Sequence, residues 1–211
     1  MTCLFHNVRS RGPIRYMTRS IVWCAAIATL AACADAPTGL ESAARHAPGV
    51  SAVVMSMDVV GDTTTTVMVV AGNGQDVNGY FGKHSLTFPY GVASICDPNT
   101  SSYGPGKWDD PCTPASAPIT ITAKSWVDKV TGATKTEFQP AMRFVPGLPQ
   151  KVTLTLDDAS PQSDHIIDYC TPAGCVDESA ADPSLLTTFD AASQKSSRII
   201  KHFSGYNIVV N

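Results

Sequence analysis

From residue 50 onward, apolar and polar residues alternate in short runs that Gly, Pro, Asn and Asp interrupt. A period of two places successive side chains on opposite faces of a β-strand. The runs therefore predict strands at 53–60, 63–70, 84–88, 92–96, 119–127, 135–138, 142–145, 152–156, 165–169, 199–203 and 206–210. Gly61-Asp62, between the first two runs, is a two-residue hairpin signal.

The spacing of these strands indicates the fold class. Many short strands separated by turn residues are typical of antiparallel sandwiches and barrels. No long 3.6-residue pattern is present, and the stretches 180–186 and 191–197 add a helical turn each. We therefore predict a mainly β chain in which residues 50–211 form an antiparallel, Ig-like β-sandwich.

Residues 1–33 have a different character. A positively charged region precedes the short apolar stretch 21–34, and residues 1–33 contain no Asp or Glu. The stretch is shorter than the roughly 20 residues that a spanning helix needs, so it predicts a targeting segment. Met17 is an alternative start to Met1, because a compact basic region would still follow it. The basic residues are Arg9, Arg11, Arg15 and Arg19.

Leu30-Ala31-Ala32-Cys33 at the end of this stretch resembles the signal of bacterial lipoproteins. The resemblance implies cleavage before Cys33, acylation of Cys33, and anchoring to a membrane through the acyl chains. Residues 1–32 would then be the signal peptide, and 33–49 the lipidated Cys and a flexible tether. For a lipoprotein of this kind, Ala34 directly after the Cys favours the outer membrane over the inner membrane. Asp35, one position later, weakens that prediction. An ordinary secretory cut at Ala32-Cys33-Ala34 and an uncleaved anchor are the alternatives.

The net charge of the chain becomes more negative once the predicted signal peptide is removed. Four of the chain's 15 basic residues leave with residues 1–32, and 11 remain against 18 acidic residues, a net charge of −7. A negative net charge argues against a nucleic acid partner and against a polybasic grip on lipid headgroups. The abundance of Thr, Val, Ala, Ser, Pro and Gly is typical of secreted β-proteins.

Four cysteines remain beyond the signal and Cys33, an even number that favours two disulfides in an oxidising compartment. We predict the pairs that are local in sequence, Cys96–Cys112 and Cys170–Cys175. Thr171-Pro172-Ala173-Gly174 fits a tight turn that brings the second pair together. The alternative, a four-Cys metal site, lacks any C-x-x-C pair.

Several sequence segments resemble those of ZU-five-type β-sandwich domains. They are the Leu-Thr-Phe-Pro-Tyr-Gly-Val-Ala run at 86–93, the strand-like stretches 138–146 and 152–156, and the closing phrase 202–206. The expected Gly-Gly opening is absent, and the 96–112 loop is an insertion relative to the pattern. The resemblance implies a non-catalytic interaction module, with no catalytic residues to carry over.

The stapled loop between Cys96 and Cys112 is the main candidate for binding, because loops on a rigid scaffold often carry function. Tyr103 and Trp108 would stack on a sugar ring or a partner surface, and Asp109 and Asp110 would accept hydrogen bonds. The alternative is a surface loop whose Trp108 covers the edge of the core.

Other constellations predict no chemistry. Asp76-Val77-Asn78-Gly79 and Asp97-Pro98-Asn99 lack calcium-loop spacing and are typical of turns. His165 and Asp168 are three apart on a predicted strand and would face opposite ways. No nucleophile-elbow, zinc-protease or phosphate-loop motif occurs.

We therefore predict no catalytic residues, metal or cofactor. The expected function is a lipid-anchored, non-catalytic binding or structural module of the cell envelope, with an envelope protein or a glycan as partner. The alternative is an extracytoplasmic carbohydrate-binding or hydrolytic protein that uses the 96–112 loop.

Overall fold

The computed structural model describes residues 50–158, 162 and 164–210. The predicted signal peptide, Cys33 and the tether up to residue 49 lie outside the described residues. Within those residues the chain forms thirteen strands: β1 Val50–Ser51, β2 Val53–Val60, β3 Thr63–Val70, β4 Val77–Phe81, β5 His84–Phe88, β6 Ile119–Val127, β7 Thr134–Gln139, β8 Thr153–Asp157, β9 His165–Thr171, β10 Gly174–Val176, β11 Thr188–Asp190, β12 Lys195–Ile199 and β13 Gly205–Val210.

The strands form two packed sheets, which confirms the predicted β-sandwich. One sheet has the order β1-β4-β5-β8-β12-β11, and the other has the order β10-β9-β13-β7-β6-β3-β2. The pairs are antiparallel except β1 with β4, which is parallel. No helix in the described part of the chain is long and apolar enough to cross a bilayer.

Alternation along the strands builds the core between the sheets. Met68 and Val70 of β3, Ile121 and Ala123 of β6, and Leu154 of β8 are buried, whereas intervening residues are partly or fully exposed. A cluster of rings fills the centre. Its members are Phe88, Phe138, Phe144 and Phe203, and Phe203 lies 4.9 Å from both Phe138 and Phe144 between ring centroids. Such aromatic contacts add to the burial of apolar area.

The predicted strand at 92–96 is wrong, because residues Val92–Ser94 form a 3-10 turn. Gly91 before it has φ +58°, and a Cβ there would lie 2.3 Å from the Gly72 carbonyl oxygen. The chain therefore turns at a position that only glycine fits. The Ser94 hydroxyl accepts a hydrogen bond from the Tyr90 N–H at 3.0 Å and holds the turn.

Two further strand predictions are displaced. Residues 142–145 make only isolated bridges, Arg143 with His202 and Phe144 with Ile95. The predicted strand at 199–203 ends at Ile199, because the chain leaves the first sheet after β12 and enters the second at β13. A segment that changes sheets cannot continue either ladder. The helical turns predicted near 180–186 occur as 3-10 turns at Glu178–Ala180 and Pro183–Leu185, whereas 195–199 is strand β12.

Candidate functional site

Both predicted disulfides are present in the structure. Cys96–Cys112 closes the 96–112 loop, and Cys170–Cys175 joins β9 to β10, where the two cysteines face each other across the hairpin. The alternative of a four-Cys metal site is thereby excluded. No group of three His, Cys, Asp or Glu among the described residues is arranged to hold a metal ion. The disulfides indicate an oxidising, extracytoplasmic compartment.

Arg143 ties the 96–112 loop to the body of the sandwich. Its side chain is buried, and its guanidinium donates to three loop carbonyls: Nε to Ser102 at 2.8 Å, Nη1 to Asp110, and Nη2 to Pro111 at 3.3 Å. A planar guanidinium is suited to this role because it offers five donors in a fixed fork. The loop is therefore held from inside as well as by its disulfide.

Both loop aromatics pack against the body of the sandwich on one side, while Tyr103 stays 40% exposed. The Tyr103 hydroxyl donates to the Phe203 carbonyl at 2.5 Å, and its ring lies edge-on to Trp108 at 4.9 Å. Trp108 stacks on His202 with 3.9 Å between ring centroids. Burial raises the pKa of Tyr103. One face of the Trp108 ring therefore covers the edge of the core, as the alternative interpretation of this residue expects.

A buried polar cluster supports the loop from below. His202 Nε2 lies 2.9 Å from Glu178 Oε1, and Arg198 Nη2 lies 3.0 Å from Glu178 Oε2. Arg198 Nη1 also donates to the Ile167 carbonyl, and the Tyr206 hydroxyl donates to the His202 carbonyl at 2.9 Å. Glu178 thus links two side chains that are fully buried. The sequence pattern gave no sign of this cluster, because Glu178 is about 20 residues from Arg198 and His202 along the chain and lies outside the predicted strands.

His202 also contacts a hydroxyl, with 3.2 Å between Nδ1 and Ser204 Oγ. Hydroxyl, imidazole and carboxylate are the groups of nucleophilic triads. The His202 side chain is 0% exposed, and Trp108, Tyr169 and Tyr206 surround the ring. A general base must exchange its proton with substrate or water. The enclosed imidazole therefore acts here as a packing and hydrogen-bonding element.

A cavity of about 180 Å³ opens beside the loop. Lys201 lies at its charged side, with Nζ 2.7 Å and 2.9 Å from the two Asp109 carboxylate oxygens and 2.8 Å from Asp182 Oδ2. The hydrogen bond from Lys201, with further ones from Ser184, lowers the pKa of Asp182 to about 2. The apolar side consists of Phe144, Val145, Pro146, Leu185, Ile199 and Ile200.

Three further residues complete the cavity wall, one of which is Ser184. Trp108 contributes from the loop, and Lys151 lies nearby with its ammonium donating to the Pro146 carbonyl. Burial, followed by repulsion from Lys201, lowers the pKa of Lys151. The cavity therefore combines an aromatic ring, two ammonium groups and two carboxylates with an apolar wall.

The four predicted loop residues thus separate into two pairs. Trp108 and Asp109 line the cavity. Tyr103 anchors the loop, and the Asp110 carboxylate pairs with Lys107 at 3.1 Å on the exposed side. The adjacent aspartates therefore have different environments, which makes them useful as a matched pair of variants.

The turn predicted at Asp76-Val77-Asn78-Gly79 is wrong, because strand β4 begins at Val77. The remaining candidates from the sequence have local roles. Asp97 Oδ1 accepts a hydrogen bond from the Asn99 N–H at 2.9 Å, as in a turn. His165 Nδ1 contacts Asp158 Oδ2 at 2.6 Å, whereas Asp168 lies on the same strand, pairs with Asn207 in the ladder and is buried. His165 and Asp168 are therefore not brought together by the fold.

A second notable surface is strand β2 at the edge of the seven-stranded sheet. Every residue of β2 is exposed. The strand carries six large apolar side chains with exposed fractions between 47% and 79%: Val53, Val54, Met55, Met57, Val59 and Val60. The alternating pattern predicted the strand, but it did not indicate that both faces would be open.

The fold and these surfaces define a disulfide-stapled β-sandwich with a loop-walled cavity at one place and an uncovered edge at another. Comparison with protein-family models, curated proteins and solved structures found no match to this chain. The resemblances to bacterial lipoprotein signals and to ZU-five-type domains therefore stay predictions.

Proposed function

We propose that the protein is a non-catalytic binding module of the bacterial cell envelope, anchored to the outer membrane by acyl chains on Cys33. The lipobox-like Leu30-Ala31-Ala32-Cys33 supports the anchor, and the two disulfides support an extracytoplasmic location. The recognition surface is the 96–112 loop with the cavity that it walls.

One observation carries the binding role: a loop without strand or helix is fastened at several points and still leaves a cavity open. Arg143, Tyr103 and the disulfide hold the loop, so that it loses little conformational entropy when a ligand binds. Preorganised polar groups beside an apolar wall are typical of ligand sites.

The anchor is tested by partition into a detergent phase. The unmodified chain is expected in the detergent phase, because two or more acyl chains give stable membrane attachment. Cys33→Ser should move it to the aqueous phase, whereas Cys24→Ser, within the predicted signal, should leave partition unchanged. A Cys33→Ser chain that stays in the detergent phase would overturn the lipid anchor.

The recognition surface is tested by photo-crosslinking in cells. A photoreactive amino acid in place of Asp109 is expected to form a discrete adduct with an envelope component. The same amino acid in place of Asp190, an exposed position on β11, is the control and should form none. Equal adducts from both positions, or none from position 109, would contradict this choice of surface.

A second candidate is carbohydrate recognition at the same cavity. The favouring observation is that Trp108, Asp109 and Lys201 meet there, since aromatic rings and charged hydrogen-bonding groups together suit hydroxyl-rich rings. A cavity of about 180 Å³ is small and suits a small ligand rather than a long chain.

A glycan array decides this candidate. We expect binding that Asp109→Asn weakens at least tenfold, because the carboxylate lines the cavity and is 72% exposed, so its loss should not disturb folding. Asp110→Asn on the same loop should bind as the unmodified chain does. The absence of signal on a broad array would rule out carbohydrate recognition without touching the anchor or the crosslinking result.

A further inference from the structure

Strand β2 has hydrogen-bond partners along one side only. It pairs with β3 and forms the edge of the seven-stranded sheet, so the N–H and C=O groups of its other side have no strand neighbour in the described part of the chain. Long apolar edge strands pair readily with further strands, and soluble proteins normally protect them with charges, prolines or bulges. β2 has one charged residue, Asp58, no proline, and one register shift in its pairing with β3, between Val54 and Ser56.

The apolar side chains of β2 lie on both of its faces. The register sets Val54 opposite Met68 and Met57 opposite Thr66, both buried residues of β3. Val53 and Val60 lie opposite Val69 and Thr63, which are on the other face. The core therefore ends at β3, and β2 extends beyond it with apolar groups above and below. Contiguous exposed apolar surface of this kind marks an interaction site.

The backbone decides what chemistry can cover β2. A lipid surface supplies no partners for a row of edge N–H and C=O groups, and open sheet edges do not occur in hydrocarbon. The stretch 34–49, which precedes the fold, contains Pro37 and Pro48 and few apolar residues, so it suits neither the ladder nor the side chains. An extended apolar strand fits both requirements.

We infer that β2 pairs antiparallel with β2 of a second copy of this chain, which joins two seven-stranded sheets into one. The sequence around Ser56 is nearly symmetric: Val-Val-Met precedes it and Met-Asp-Val-Val follows it. A two-fold axis near Ser56 sets Met55 opposite Met57 and Val53 opposite Val59 of the other copy, while Asp58 lies opposite Val54. Each contact is repeated by the symmetry, as an isologous interface requires.

Charge is compatible with this arrangement. Asp58 lies two residues from the axis, so the two Asp58 positions are separated by four residues along the pair, roughly 13 Å at about 3.3 Å per residue. That distance exceeds the screening length of about 8 Å at physiological ionic strength. The single acid therefore does not oppose its symmetry mate.

The area of the edge sets the strength of the dimer. Fully burying one Val or Met side chain removes roughly 60–120 Å² from water, so the six partly exposed side chains offer roughly 250–450 Å² per copy. A standard stable interface buries about 800 Å² per partner. The β2–β2 interface is therefore a weak one, with a dissociation constant in the micromolar range or above. This inference does not depend on the proposed recognition surface.

Sedimentation equilibrium from 1 μM to 1 mM tests the inference on the extracytoplasmically produced chain carrying Cys33→Ser, which keeps acyl chains out of the measurement. The expected result is a monomer–dimer equilibrium. Met57→Lys should weaken it at least tenfold, because edge lysines oppose strand pairing. Val130→Lys, at a 95% exposed position in the β6–β7 turn, makes the same charge change elsewhere and should leave it unchanged.

Cross-linking adds a geometric readout. Ser56→Cys should form a disulfide-linked dimer on mild oxidation, because the position lies near the axis, whereas Val130→Cys should not. A chain that stays monomeric at 1 mM overturns the inference. A dimer that persists in Met57→Lys also overturns it, because the interface would then lie elsewhere. A monomeric chain that binds lipid vesicles, and loses that binding in Met57→Lys, overturns it as well.

Discussion

In the 96–112 loop and in strand β2, the extent of tertiary packing is the opposite of what the local backbone structure suggests. The loop has no strand or helix beyond an isolated bridge at Cys96, yet Arg143, Tyr103 and a disulfide fasten it to the core. β2 is an eight-residue strand that pairs with β3 along one side, with one register shift between Val54 and Ser56, yet none of its side chains is buried.

The difference shows that regular hydrogen bonding and tertiary packing are separate sources of order. Ordering a residue costs about 1–2 kcal/mol of conformational entropy, which contacts must offset wherever a segment is fixed. The loop has such contacts in buried form, whereas β2 has the ladder alone. Segments with few buried contacts open at low free energy. We therefore expect the loop to be the more protected of the two segments.

The largest effect is expected at Arg143. Arg143→Met keeps apolar bulk but leaves the carbonyls of Ser102, Asp110 and Pro111 without their donor. Ser102 and Pro111 are exposed and Asp110 is partly exposed, so water can replace the donor at these carbonyls in part. Hydrogen bonds to charged groups contribute about 1.5–3 kcal/mol, so we expect a loss of about 3 kcal/mol in urea unfolding. Lys107→Met removes only an exposed pair with Asp110 and should cost under about 0.5 kcal/mol. Equal losses in the two variants would refute the anchoring role.

An intermediate effect is expected from His84 on β5, which lines the same cavity as Asp62 and Thr64 of the β2–β3 hairpin. Burial lowers the pKa of His84 to about 4, and its Nδ1 accepts a hydrogen bond from the Asp157 N–H at 3.0 Å. In the unfolded chain the pKa is near 6.5, so the unfolded state takes up the proton first as pH falls.

Stability from this group is therefore complete above about pH 6.5 and is lost as pH falls towards 4, by roughly 2 kcal/mol. Urea unfolding at pH 7 and pH 4.5 measures the loss. His84→Gln should flatten the dependence over that interval. If His84→Gln kept the full pH dependence, the buried imidazole would not be the source of that dependence. Water would then reach the core next to the β2–β3 hairpin more than the structure indicates.

The smallest effect is expected on β2 itself. Met57→Thr should change the free energy of unfolding by less than about 0.5 kcal/mol in dilute solution, because the side chain is exposed. Met68→Thr, on the adjacent strand and fully buried, should cost about 2–5 kcal/mol. Urea unfolding of the two variants at low micromolar concentration makes the comparison. Similar losses would show that β2 is covered within the monomer.

Prediction from sequence worked where burial followed a simple alternation. β3, β5 and β6 begin and end where the pattern predicted, because most of their buried residues are apolar and Gly or Pro lies close to an end of each. β2 also has the predicted bounds, although none of its side chains is buried. β12 was displaced because two of its buried residues are Ser196 and Arg198, which reverse the usual pattern. The site was predicted in part: Trp108 and Asp109 line a cavity, but Lys201, Asp182 and Lys151 come from distant segments without a local signal.

The amino-acid sequence alone determined the strand-rich fold class, the local cysteine pairs and the position of the stapled loop. Each of these depends on residues close together along the chain, where periodicity and turn chemistry are visible. Only the tertiary structure decided that Arg143 holds the loop, that Glu178 links His202 to Arg198, and that β2 lies beyond the core. Those features depend on how far each sheet extends and on which distant residues meet, and neither is encoded in a local pattern.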